Sequence, residues 1–140
     1  MKDLYHNIKP EVILAPIVVA ATATHTDIDL AGFNSAMLLI DTGVDAGTGL
    51  SASHKLVFTL NHSDDGTTYT AVTAADMLGV TVSSGVILTI DSTDEDNTLY
   101  SFGYVGGKRY LELAYIETGV VSMPMGITLL KGAPLDSPVA

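Results

Sequence analysis

The sequence contains no cysteine, which excludes disulfides, thiolate nucleophiles and sulfur-ligated zinc together. Positive charge is scarce as well: 6 Lys and Arg stand against 16 Asp and Glu, a formal net charge of −10 over 140 residues. A field of that sign repels phosphate backbones, and Lys108 and Arg109 are the only adjacent basic pair, so nucleic acid is not expected as a partner. Long apolar runs are missing too. The longest, Val12 to Ala21, is broken by Pro16 and spans about ten residues against the roughly 20 that a membrane-spanning helix needs, so no membrane partner is expected. A secretory leader would open on clustered basic residues, but Lys2 and Lys9 are isolated, and Pro10 and Glu11 stand where the run begins. The N-terminus is therefore expected to stay in the mature protein.

What is present is a β pattern. A chain of this length fits one domain and buries about two-thirds of its unfolded surface, enough for a single core. Period-two alternation and β-branched runs predict about eight short strands: Ile17–Thr22, Ala36–Asp41, Lys55–His62, Tyr69–Val72, Val86–Asp91, Thr98–Val105, Tyr110–Glu117 and Met125–Leu130. In the third of these, Leu56, Phe58, Leu60 and His62 share one face, while Lys55, Val57, Thr59 and Asn61 share the other. Only Thr73–Leu78 resembles a helical turn, with Thr73 as N-cap and Gly79 ending it. The punctuation agrees, since Asp64-Asp65-Gly66 supplies a tight turn, Val44–Ser53 a small-residue loop and Ser92–Asn97 an acidic loop. No fixed-period repeat or heptad is present. The expected fold is all-β, a β-sandwich or jelly roll with at most one short helix.

The ends read differently. Pro10 and Pro16 near the start and Pro134 and Pro138 near the finish remove backbone donors, so these stretches are expected to pair poorly in a sheet. The division expected is an extended N-terminal arm over 1–16, a sandwich domain over 17–130 and a C-terminal tail over 131–140. Such ends either fray or lie across a neighbouring subunit. The apolar Leu4, Tyr5, Ile8, Val12, Ile13 and Leu14 favour the second outcome for the arm.

Candidate chemistry is sparse. His6, His25, His54 and His62 accompany many Ser and Asp residues, but no Gly-x-Ser-x-Gly elbow holds a nucleophile, and Gly47-Thr48-Gly49 lacks a strand-to-helix setting. No enzymatic activity and no cofactor are expected. Asp91, Asp94 and Asp96 gather oxygen ligands of the kind calcium prefers, yet the glycine and distal glutamate of a calcium loop are missing, so a solvated acidic loop competes with a metal site. His54 and His62 face the same way but lie about 26 Å apart at strand rise, too far to share a metal. Gly103-Tyr104-Val105-Gly106-Gly107-Lys108 lacks P-loop spacing and reads as a turn between two strands. Lys108 and Arg109, a lone cationic step among Tyr100, Tyr104, Tyr110 and Tyr115, suit a subunit interface; the tyrosines suit equally well the interior of the sandwich or a sugar-binding surface. The candidate interface residues are thus Tyr5, Ile8, Val12, Tyr104, Lys108, Arg109 and Tyr110.

Three segments in order carry a resemblance: the run from Phe33 to Gly43, the span Phe58 to Tyr69 with its Asp-Asp-Gly turn, and Gly103 to Tyr110. Together, over about residues 27 to 118, the chain resembles small proteins encoded among the head genes of tailed bacteriophages, similar to capsid decoration or stabilising proteins. The resemblance implies a structural virion protein on the outer surface of the head. Its implied partners are the major capsid protein and copies of itself, as a homotrimer. It brings no catalytic motif. Two other classes remain open on the residues, a carbohydrate-binding or fibre-type β domain and a head–tail joining or tail-tube protein.

Overall fold

The alternation of Lys55–Ser63 gives this strand one apolar face, which is turned inward. In the computed structural model, which describes residues 3–136, Leu56, Phe58 and Leu60 are fully buried while Lys55, Val57 and Thr59 are partly exposed. The described strands are β1 (Ile8–Val19), β2 (Ala23–Asp29), β3 (Phe33–Thr42), β4 (Lys55–Ser63), β5 (Thr70–Ala71), β6 (Met77–Leu78), β7 (Val86–Ile90), β8 (Leu99–Tyr104), β9 (Tyr110–Thr118) and β10 (Met123–Pro134). Every pairing is antiparallel. Sheet I has the order β1-β10-β3-β8-β6; sheet II has the order β2-β9-β4-β5, with β7 on the same free edge of β4 as β5. The protein is an all-β sandwich, without a helix among the described residues.

The chain changes sheet at every connection except β4 to β5. Neighbouring strands therefore come from distant parts of the sequence, and the two faces meet over a core that includes Leu38, Ile40 and Ile127 from sheet I and Leu56, Phe58 and Leu113 from sheet II. Burying each such side chain contributes roughly 1.5–3 kcal/mol relative to exposure. Inward residues of the two sheets alternate with outward ones, as aligned sandwich packing requires.

The sheets extend further toward both ends of the chain than the proline pattern predicts. Residues 8–16, expected in the arm, form most of β1, and β10 runs on to Pro134, with Ile8 opposite Gly132. Proline is tolerated here because β1 is an edge strand with one side unpaired, and its register shifts twice, between Val12 and Leu14 and between Leu14 and Ile17. Met1, Lys2 and 137–140, which complete the expected arm and tail, lie outside the described residues.

Two further departures are local. Thr73–Leu78 is a turn leading into β6: the Asp76 carboxylate accepts from the Thr73 amide and hydroxyl, both at 2.7 Å, the reverse of the expected cap. β2 escapes the alternation pattern because its register breaks between His25 and Ile28, where Asp27 takes φ 59°. With β2 and β6 added, the count rises from about eight to ten strands.

Candidate functional site

The expected interface residues do not form one surface. Tyr5 is 83% exposed ahead of β1, and Ile8 and Val12 lie on β1 itself. Tyr104 departs most from expectation. It is 3% exposed in the core because inward alternation along β8 turns it, with Phe102, against sheet II. Lys108 and Arg109 are engaged within the chain: Lys108 Nζ lies 3.5 Å from Asp64, and the Arg109 guanidinium donates to both Asp29 carboxylate oxygens at 2.9 and 2.7 Å. Arg109 also lies over the Tyr110 ring, 4.8 Å from its centroid. This bidentate bond holds the Asp29 carboxyl down to about 2, so its contribution to stability is full above pH ~4 and is lost as pH falls through about 2. Arg109 thereby links the β8–β9 turn to β2, and Lys108 links it to the β4–β5 turn.

Beneath that turn lies a polar cluster inside the core. The Tyr104 hydroxyl accepts from the Lys108 amide at 3.1 Å and stands 2.9 Å from His62 Nδ1. The hydroxyl and the ring nitrogen form a buried pair that satisfies His62 Nδ1 in either tautomer. Burial lowers the His62 pKa, with the Asp76 carboxylate opposing. The folded chain thus resists a proton that the unfolded chain accepts near pH 6.5. Stability from this group is complete above that value and declines as pH falls through it toward the lower folded value. The urea midpoint is expected to be lower at about pH 5.5 than at about pH 7.5, with the difference much reduced in His62→Gln. An equal drop in that variant would place the titration elsewhere.

The acidic loop is occupied by its own backbone. Glu95 Oε2 accepts from the amides of Asp91 and Ser92 at 2.9 and 3.1 Å, and Asp96 Oδ2 accepts from the Asp45 amide at 2.9 Å. Asp91 and Asp94 each enter these turns through their amides, Asp94 by donating to Ser92 Oγ. Among the described residues Asp91, Asp94 and Asp96 do not converge as a metal-ligating group. The Asp65 turn behaves similarly: its carboxylate accepts from the Thr67 and Thr68 amides and the Ser63 hydroxyl, which hold its pKa far below the ordinary value. Both loops are hydrogen-bonded turns, and Gly66 at φ 72° closes the second beside the Tyr110 ring.

The surface that sequence reasoning missed is the outer face of sheet I. Register places Pro10, Leu130, Met37, Gly103 and Leu78 in one row across all five strands. The next row is Val12, Thr128, Leu39 and Ser101. Val18 and Pro124 form a pair beyond them, and Leu99 lies opposite Asp41. Val12, Val18, Leu78 and Leu99 are each between 58 and 65% exposed. Asp41 is the one charged side chain among the outward-facing strand residues of this face. The outer face of sheet II, by contrast, carries Asp29, Lys55 and Glu112. A readable signal lay in β3, where Met37-Leu38-Leu39-Ile40 is apolar on both faces although one face alone meets the core.

No family model matches the sequence, and no curated protein sequence matches it. Solved structures similar in shape include the SPBc2 prophage-derived protein YomS, at TM-score 0.48 and 11% identity over 89% of this chain and 92% of that one. A second is a Bacillus endospore appendage protein, described as forming disulfide-linked pili, at TM-score 0.46 and 15% identity over 93% and 90%. A third is a chain of infectious bursal disease virus, at TM-score 0.35 and 18% identity, where the match covers 88% of this chain and 30% of that one. At these scores and identities none assigns an activity or a partner.

Proposed function

We propose that the chain is a structural virion protein of the decoration kind, bound outside the head of a tailed phage, where it ties together subunits of the major capsid protein and associates with copies of itself. The observation that carries this reading is the outer face of sheet I, a nearly uncharged five-stranded surface on a chain of net charge −10. Exposed apolar area of that extent marks contact with another protein. The reading is supported by the order of turns and strands that gives the sequence its resemblance to phage head proteins. His62 is bonded to Tyr104, and Arg109 to Asp29, within the chain.

The work such a protein does is mechanical. It adds buried contact across the joints of a shell and so raises the force needed to part them, while its acidic loops keep finished particles apart. Particles assembled without the chain are expected to rupture at a lower temperature, and purified chain added back should restore the difference. Restoration should fail for a variant carrying Met37→Lys and Leu130→Lys. Shells that neither bind the chain nor gain heat resistance from it would defeat the proposal.

A further inference from the structure

We propose that the outer face of sheet I pairs with the same face of a second copy of this chain, so that the protein assembles as a face-to-face dimer. This rests on the reading of that face as a contact surface and names its occupant. Charge is the first argument. Two copies of net charge −10 repel one another, and the end of the sandwich holding Asp45, Asp91, Asp94, Glu95 and Asp96 offers a neighbouring copy only more carboxylates. The outer face of sheet II would set Asp29 and Glu112 against their equivalents. On sheet I only Asp41 is charged; it stands opposite Gly126 and Leu99, two rows from the uncharged centre of Leu130 and Met37. Like surfaces can meet there without opposing charge.

Extent is the second argument. Five strands spaced about 4.8 Å apart, with long members rising about 3.3 Å per residue, present roughly 700 Å² once the shortness of β6 is allowed for. Two such faces bury about 1,400 Å², within the range of specific stable interfaces. Geometry is the third. Aligned sheets pack about 10 Å apart through interdigitating side chains. Leu130, Met37 and Leu39 are neighbours on the face, so a two-fold axis through them brings the same apolar side chains of two copies together. The free edge of β1 carries Pro10 and Pro16, which remove two backbone donors and so disfavour edge-to-edge pairing along that strand.

The test is sedimentation equilibrium of the full chain at micromolar concentration. The expected particle has twice the 14.6 kDa chain mass, and Met37→Lys with Leu130→Lys weakens self-association by about 100-fold or more by setting like charges together. Thr128→Arg, at a position already polar and outward, gives the same shift and guards against a folding defect in the double variant; circular dichroism melts should stay close to wild type. A monomer, a trimer, or a dimer indifferent to these changes overturns the inference. A monomer in solution that still decorates shells would sink the dimer and leave the decoration reading standing. A dimer that never binds shells would do the reverse.

Discussion

Gly119→Ala is expected to cost about 3–5 kcal/mol, a large share of the 5–15 kcal/mol that holds a domain of this kind together. Gly119 takes φ +71° between β9 and β10, and a Cβ there would fall deep inside contact distance of the Ser53 carbonyl and His54 Nδ1. The Ser53 carbonyl is backbone and cannot swing aside as a long side chain would. His54 Nδ1 is also the acceptor for the Val120 amide at 2.8 Å, and Thr48 Oγ1 donates to the Val120 carbonyl at 3.3 Å, so displacing His54 loosens the loops before β4 and after β9 together. Gly107 supplies the control. It has the same φ of +71° and nothing within 4 Å of a built Cβ, so Gly107→Ala should show only the left-handed strain of about 1–2 kcal/mol. Urea denaturation of the two variants separates strain from contact. Equal midpoints would mean that the close approach at Gly119 contributes nothing.

Phe58→Ala should destabilise the chain by about 3–5 kcal/mol, the range for deleting a buried aromatic whose surroundings collapse only in part. Phe58 is fully buried on β4, which pairs with β9, β5 and β7, and its ring lies 6.0 Å from that of Tyr115 at an interplanar angle of 48°. The cavity would open at the strand to which most of sheet II is attached. Thermal melts should shift well below wild type, and the urea midpoint should fall with an unchanged slope, the sign of lost stability in an intact fold. A fall of less than about 1 kcal/mol would show that the core repacks around the gap.

The interior of this fold was legible and its margins were not. β4 and β9 follow from alternation alone because one face meets the core and the other meets water, which separates the residue types cleanly. β1 was hidden by Pro10 and Pro16, whose missing donors matter in a central strand and hardly at all on a free edge. Tyr104, Lys108 and Arg109 were grouped for their nearness in sequence, but alternation buries the first, while the other two stay solvent-accessible and pair with Asp64 and Asp29. Ile8 and Val12 lie on β1, on the outer face of sheet I. The face as a whole was invisible because it is assembled from four long strands and β6, whose order no local pattern encodes. A strand apolar on both sides says that something covers each side, and leaves open whether the cover is the same molecule.

Cryo-electron microscopy of intact particles assembled from the gene set that encodes this chain tests the central claim most directly. The account predicts sandwich density on the outer surface of the head, at joints between capsid subunits, with the outer face of sheet I covered by protein. Density confined to the tail, or particles that lack the chain altogether, would contradict it.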